Sequence, residues 1–355
     1  MRIAIAALLL AALLPATAEA QPPWQGSLTH HTMPAGATYP SRDYYRYVPP
    51  MLAPKRERAL VVYLHGCTQP ASEAIKGVRW NELADRRGFV VVYPDQRVPD
   101  GGPTDADGSA ARCWNPGQAE AVPRGSGELA TIAEITRRVA REQDVDPGRI
   151  YVAGISGGAM MATAMAVVYP DLYTAVGHVE NCGYLCDPTG ELAYRHMGAY
   201  ARVVPAMIVQ GSADFVINPA MSESSVTQWI GIDDRADNGQ RDGSVPPTPT
   251  TIEHDIPPGT PAPPNLPGTL CAEDLTHHNP CPGGVVGPYP VTRRSYAQQG
   301  GPVVVEAWTI HGLSHNYSGG DPAGSFTDPY GPNITPPLFD FFEAHARVGM
   351  HSAPL

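Results

Sequence analysis

The chain has 355 residues, is 43% hydrophobic and carries a formal charge of -11. That acidic balance excludes nucleic acid and anionic membrane surfaces as expected partners and suits a neutral or weakly charged substrate. The length allows one large α/β domain or two smaller ones, and no stretch beyond the first twenty residues approaches the ~18 apolar residues of a membrane span.

The chain opens with Met1-Arg2, an apolar run over residues 3–14 and the small-residue site Ala18-Glu19-Ala20. This is the pattern of a secretory signal peptide covering residues 1–20, too short in its apolar part to act as an anchor. The mature chain, residues 21–355, is expected to be a single exported domain, secreted or periplasmic. Further on, Leu60-Val61-Val62-Tyr63-Leu64 and Phe89-Val90-Val91-Val92-Tyr93 are continuous apolar runs, as strands covered on both faces require. Between them Trp80 to Arg86 reads as the end of a crossover helix. Leu129, Ile132, Ile135 and Val139 recur at helical spacing. Residues 149–153 form a strand pattern, residues 159–166 a helix pattern, and residues 175–179, 203–209 and 303–310 further strands. Leu338, Phe339, Phe342 and Ala346 mark one face of a closing helix with Thr335 as N-cap. Alternation of strand and helix predicts a doubly wound, mostly parallel sheet with helices on both faces.

Residues 238–290 break that rhythm. They are rich in Pro, Gly, Thr and Asp and nearly free of periodicity, so they read as a long irregular insertion in the sheet. Six cysteines in an exported chain predict up to three disulfides. From the residues alone, Cys182, Cys186, Cys271 and Cys281 cannot be assigned partners. His277 and His278 beside Cys281 lack the close paired spacing of a zinc cluster and read as loop.

Gly154-Ile155-Ser156-Gly157-Gly158 lies between a strand and a helix. G-x-S-x-G in that setting is a nucleophile elbow, a sharp turn that lifts a serine oxygen clear of the sheet. A serine hydroxyl needs a base, a group to orient that base, and donors for the oxyanion. Asp214 follows a strand in Gln210-Gly211-Ser212-Ala213-Asp214, where it can face the crevice. Asp233 and Asp234 compete, but read as solvated loop acids beyond a helix. His315, in the glycine-containing loop Gly312-Leu313-Ser314-His315, is favoured as base over His311. The order Ser, Asp, His is that of an α/β-hydrolase. The amide of Gly157, the residue after the nucleophile, is one expected oxyanion donor. The loop His65-Gly66-Cys67-Thr68-Gln69 follows an early strand and offers the amide of Cys67 as the other.

Together, residues 61–69, residues 89–96, Cys113-Trp114-Asn115, the Ser156 elbow and Gly312-Leu313-Ser314-His315 resemble the polyhydroxybutyrate depolymerase family of esterases, which also includes feruloyl and acetylxylan esterases. The resemblance runs from about residue 50 to 345 and departs at Gln210, where family members often carry histidine. It implies an α/β-hydrolase fold and a Ser156–His315–Asp214 triad acting on carboxylic esters. It also implies a Cys67–Cys113 disulfide that would hold Trp114 near the cleft mouth, as a substrate contact or as a buried core ring.

The reading is an exported serine esterase for polyhydroxybutyrate or short 3-hydroxyalkanoate oligomers, working without metal or organic cofactor. Its rivals are a feruloyl or acetylxylan esterase with the same triad, a protease, and a non-catalytic binding protein on a hydrolase scaffold.

Overall fold

The computed structural model describes residues 22–96, 112–115, 124–256 and 289–347. Residues 1–21, with the expected signal peptide, and Cys271, Cys281, His277 and His278 lie outside the described residues, as does most of the 238–290 stretch.

Ten strands form one sheet in the order β1-β2-β4-β3-β5-β6-β7-β10-β9-β8. These are β1 (Ser27–Met33), β2 (Arg42–Val48), β3 (Leu60–Leu64), β4 (Val90–Asp95), β5 (Ile150–Ile155), β6 (Ala175–Val179), β7 (Ala206–Gly211), β8 (Thr251–Ile256), β9 (Val291–Ala297) and β10 (Val303–Ile310). The central run from β4 to β10 is parallel. Antiparallel strands extend it at both sides.

Period-2 alternation sorts the strand side chains into two cores. Leu60, Val62 and Leu64 join one cluster, while Val61 and Tyr63 join the other. The first is covered by α3 (Gly127–Glu142), α4 (Gly157–Val168), α5 (Glu191–Met197) and α6 (Pro219–Ala236). The second is covered by α1 (Ala71–Gly77), α2 (Trp80–Arg87) and α7 (Thr335–Ala344). Coverage on both faces is why β3, β4 and β5 could be read as unbroken apolar runs. This is the expected doubly wound α/β-hydrolase architecture.

Three details differ from the sequence reading. β1 and β2 flank the sheet, and β1 is largely exposed, so no buried apolar run announces it. Inside the supposedly irregular stretch, β8 pairs with β9 as an edge strand. Its Thr251–His254 side chains are exposed, so alternation has nothing to bury. Its Glu253 and His254 suit an unpaired edge, where charge discourages further strand addition. Thr335 is the first residue of α7 and Ile334 its N-cap, because the Thr335 hydroxyl is engaged instead with the Val78 carbonyl at 2.7 Å and the Tyr317 hydroxyl at 2.8 Å.

The topology places the site. From β3 the chain passes to β4 on one side and later to β5 on the other, so the loops leaving β3 and β5 diverge at a switch point. Crevices outside the carboxyl ends of strands form there.

Candidate active site

Ser156 stands between β5 and α4 with φ 55° and ψ -125°, a strained backbone for a non-glycine residue. Its N–H donates to the Val179 carbonyl at 2.9 Å, and its carbonyl accepts the Met160 N–H at 3.0 Å, so the turn is fixed from both sides. Close packing dictates the glycine at the end of the motif. A Cβ on Gly158 would lie 2.1 Å from the Leu64 carbonyl oxygen and 2.3 Å from that of His65. Both are backbone atoms that cannot step aside. Gly158→Ala is therefore expected to lower the thermal unfolding midpoint by several degrees, about the 1–3 kcal/mol of core overpacking, as circular dichroism would measure.

The loop after β3 lies against the elbow. A Cβ built on Gly157 would fall 2.5 Å from Cys67 Sγ and 3.5 Å from Cys67 N, so the two residues expected to donate oxyanion amides are neighbours. Gly157 is also the first residue of α4, where an N–H has no acceptor within the helix. Such a terminus favours negative charge. The loop itself is held from several directions. His65 Nε2 accepts the Gln96 N–H at 2.9 Å, which leaves the proton on Nδ1 to donate to the Gly66 carbonyl at 2.8 Å. Burial pushes this imidazole down to about 4, so it remains neutral. Gln69 Oε1 accepts the Gly66 N–H at 3.1 Å.

Cys67 is bonded to Cys113, and Cys182 to Cys186. The first pair is the one the resemblance implies, and the second resolves a pairing that sequence left open. Trp114, next to Cys113, is 4% exposed. Its indole N–H donates to the His65 carbonyl at 2.9 Å, and the Arg42 guanidinium lies 5.7 Å from its ring. Of the two expectations for Trp114, the buried ring is the one seen, and its indole N–H braces the β3 loop.

Across the crevice, residues after β7 and β10 are strapped together. Ser212 N–H donates to the Ile310 carbonyl and Ala213 N–H to the Leu313 carbonyl, both at 2.9 Å, while Gly312 N–H donates to Ser212 Oγ at 2.9 Å. This brings His315 Nδ1 to 2.8 Å from Asp214 Oδ2, with both side chains buried. Asp214 Oδ1 accepts the N–H groups of Val216 at 2.8 Å and Ile217 at 2.9 Å, and Gln210 Nε2 lies 3.3 Å from Oδ2. Burial pushes the Asp214 carboxyl up, but the hydrogen bond from His315, the histidine's charge and the Ile217 amide help outweigh it, holding it at about 2. Gln210, the residue that departs from the family pattern, also donates to the Ile217 carbonyl at 3.1 Å and accepts from Ser222, tying the Asp214 turn to α6.

The competitors sit elsewhere. His311 is exposed and pairs with Thr292 Oγ1 at 2.8 Å. Asp233 and Asp234 are not solvated loop acids. They are buried in α6, where Asp233 accepts the Val204 N–H at 3.0 Å and Asp234 the Val245 N–H at 3.1 Å. A polar stretch read from sequence hid these helix residues, because their carboxyl oxygens serve buried backbone donors.

Sequence reasoning did not single out Glu180. It is fully buried one residue beyond β6, with φ 54°, and its Oε1 accepts the Gly211 N–H at 2.9 Å. Glu180, Asp214 and His315 place one ligand-type atom each within 4.8 Å of one another, the one such cluster of three among the described residues. Two of its members, His315 Nδ1 and Asp214 Oδ2, are bonded to each other at 2.8 Å.

A mostly parallel sheet with the elbow serine at its carboxyl edge defines an α/β-hydrolase. Its fold is similar to an acetyl xylan esterase from Aspergillus awamori, with a TM-score of 0.53 at 20% identity over 81% of this chain and 94% of that one. The family described as Esterase PHB depolymerase matches residues 42–244, more than half of the sequence, and the chain belongs to that family. The match takes in Cys67, Ser156, Gly157 and Asp214 and ends before His315. Poly(3-hydroxyalkanoate) depolymerase C of Paucimonas lemoignei is 30% identical over 53% of this chain and 49% of its own length. Feruloyl esterase B of Neurospora crassa is 32% identical over 53% of this chain and 69% of its own. Acetylxylan esterase A of Emericella nidulans is 28% identical over 53% and 66%. The chain thus spans about half the length of the depolymerase and about two thirds of the two esterases.

Proposed function

We propose that this chain is an exported serine esterase in which Ser156 is the nucleophile, His315 the general base and Asp214 its orienting acid. The observation that carries the reading is the 2.8 Å bond between His315 Nδ1 and the buried Asp214 carboxylate. An ionised Asp214 can only accept, so the proton sits on Nδ1 and Nε2 is left free to take the Ser156 proton. As Oγ bonds to the ester carbon, the carbonyl oxygen becomes an oxyanion, held by the amides of Cys67 and Gly157. Collapse breaks the ester C–O bond, and the alcohol leaves with the proton from His315. Water then adds by the same route, with His315 again as base, and releases the acid and free Ser156.

The substrate class we favour is polyhydroxybutyrate and its short 3-hydroxyalkanoate oligomers. Besides the similarity to a depolymerase, an apolar rim supports it. Phe215, Val216 and Met221, beside Asp214 in sequence, are 50%, 43% and 38% exposed. Exposed apolar side chains close in sequence to the triad acid suit a partner that is itself apolar, such as a polyester chain. The similarity to feruloyl and acetylxylan esterases supports the second reading, cell-wall esters. The two disulfides suit an oxidising compartment, and no described helix is long and apolar enough to cross a membrane.

Suspended amorphous polyhydroxybutyrate and methyl ferulate, offered in parallel to the purified protein, separate the readings. Clearing of the polymer with release of 3-hydroxybutyrate species is expected, and ferulate release without clearing would move the enzyme to cell-wall esters. Phe215→Ser is expected to slow polymer clearing about tenfold more than hydrolysis of a soluble butyrate ester, the scale of one buried aromatic side chain. Equal slowing of both would remove the rim from polymer contact.

A further inference from the structure

We propose that Glu180 is a positioning residue of the triad, a buried neutral carboxyl whose O–H donates to the Asp214 carboxylate and holds it in place for His315. The inference rests on the triad reading above and goes beyond it by adding a fourth member.

The geometry is asymmetric. Glu180 Oε1 is satisfied by the Gly211 N–H, while Oε2 is buried with no N–H or O–H donor to accept from. An ionised carboxylate would leave that oxygen bare in the interior, at a cost that a proton removes. The group nearest in charge is Asp214, whose carboxylate lies within 4.8 Å. Two carboxylates this close in a buried site do not both ionise. Asp214 is the better anion, because two loop amides, Gln210 and His315 all point donors at it. Burial pushes the Glu180 carboxyl well up from its usual range, and the neighbouring Asp214 carboxylate pushes it in the same direction. Environments that drive two neighbouring acids apart assign the proton to one of them.

Backbone contacts link Glu180 to the rest of the site. Its N–H donates to the Val209 carbonyl at 2.9 Å, and the carbonyl of Val179, one residue back, accepts the Ser156 N–H at 2.9 Å. A single turn at the end of β6 thus touches both the nucleophile's elbow and the strand that carries Asp214. The charged groups acting on Glu180 and Asp214 are each other and His315. Gln210 of β7 and Ser222 of α6 approach Asp214 and its turn as neutral groups. His178 on β6 lies against Ser225 of α6 and is held neutral by burial, which pushes it down to about 3.

The test compares two variants of the full-length mature chain with wild type, using a soluble butyrate ester. Glu180→Leu removes the donor and is expected to lower kcat about tenfold or more, with KM within about twofold, since the interaction lost acts on the triad and not on substrate binding. Glu180→Gln keeps one donor and one acceptor but cannot ionise. It is expected to recover kcat to within about threefold of wild type, with the acid limb of kcat/KM within about 0.2 pH unit. An ionised Glu180 would instead make that limb fall by about one unit or more in Glu180→Gln, because a negative charge next to the imidazole would have been removed. That fall, or wild-type kcat in Glu180→Leu, would overturn the proposal. The infrared difference spectrum of wild type minus Glu180→Gln at neutral pH should contain a protonated carboxyl band, and a carboxylate band in its place would also overturn it. This readout and the Glu180→Gln profile decide the matter even if Glu180→Leu does not fold. Ser156→Ala run alongside separates the two readings: turnover there would mean that the triad itself is wrong, whatever Glu180 does.

Discussion

Ser156→Ala is expected to lower kcat for ester hydrolysis by about 10⁶-fold while leaving the fold intact. Alanine removes the atom that bonds to the ester carbon. Stability should hold for a local reason. The Ser156 side chain caps nothing, and its backbone is fixed by N–H and carbonyl bonds that alanine retains. Serine at φ 55° already bears the strain of a Cβ there, so alanine adds none. Initial rates on a soluble ester beside a thermal melt would measure both halves of the expectation. Turnover within about tenfold of wild type would remove Ser156 from the reaction.

Asp214→Asn is expected to cost about 10⁴-fold in kcat, more than its small change in shape suggests. Every partner of the Asp214 carboxylate donates: the amides of Val216 and Ile217 to one oxygen, Gln210 and His315 to the other. An asparagine has one oxygen and one NH₂, so one set of donors must face a donor. If the NH₂ faces His315, the ring is driven to carry its proton on Nε2 and can no longer accept from Ser156. If it faces the loop, two buried amides lose their acceptor, which costs about 1–3 kcal/mol each. A melting curve distinguishes these outcomes, since the second lowers stability further by leaving the two amides unpaired. A kcat within about tenfold of wild type would show that Asp214 does not orient the base.

Stability should also respond to acid through this residue. Asp214 is held at about 2 in the folded chain, below its ordinary value. Its contribution is present above the unfolded value and is lost as pH falls through the folded one. Glu180 acts in the opposite sense. Its raised value favours the fold at low pH, and that contribution fades as pH rises toward the folded value.

The amino-acid order by itself determined the parts of this protein governed by short-range rules. The apolar runs of β3, β4 and β5 must be covered on both faces, and the glycine-flanked serine between a strand and a helix must form an elbow, because backbone sterics act over a few residues. The loop after β3 was legible for the same reason, and with it the closeness of Cys67 to Gly157. Weakly buried elements were not: β1 and β8 expose most of their side chains, so no hydrophobic pattern records them. Nor could local pattern bring His315 against Asp214, or place Asp233 and Asp234 inside a helix. Those outcomes, the core position of Trp114, and the approach of Glu180 to Asp214 were decided by the tertiary structure. His315 and Asp214 are 101 residues apart and meet only because β6, β7 and β10 lie side by side. Strand order sets which loop ends share a crevice, and the charges and hydrogen bonds that arise there have no signature along the chain.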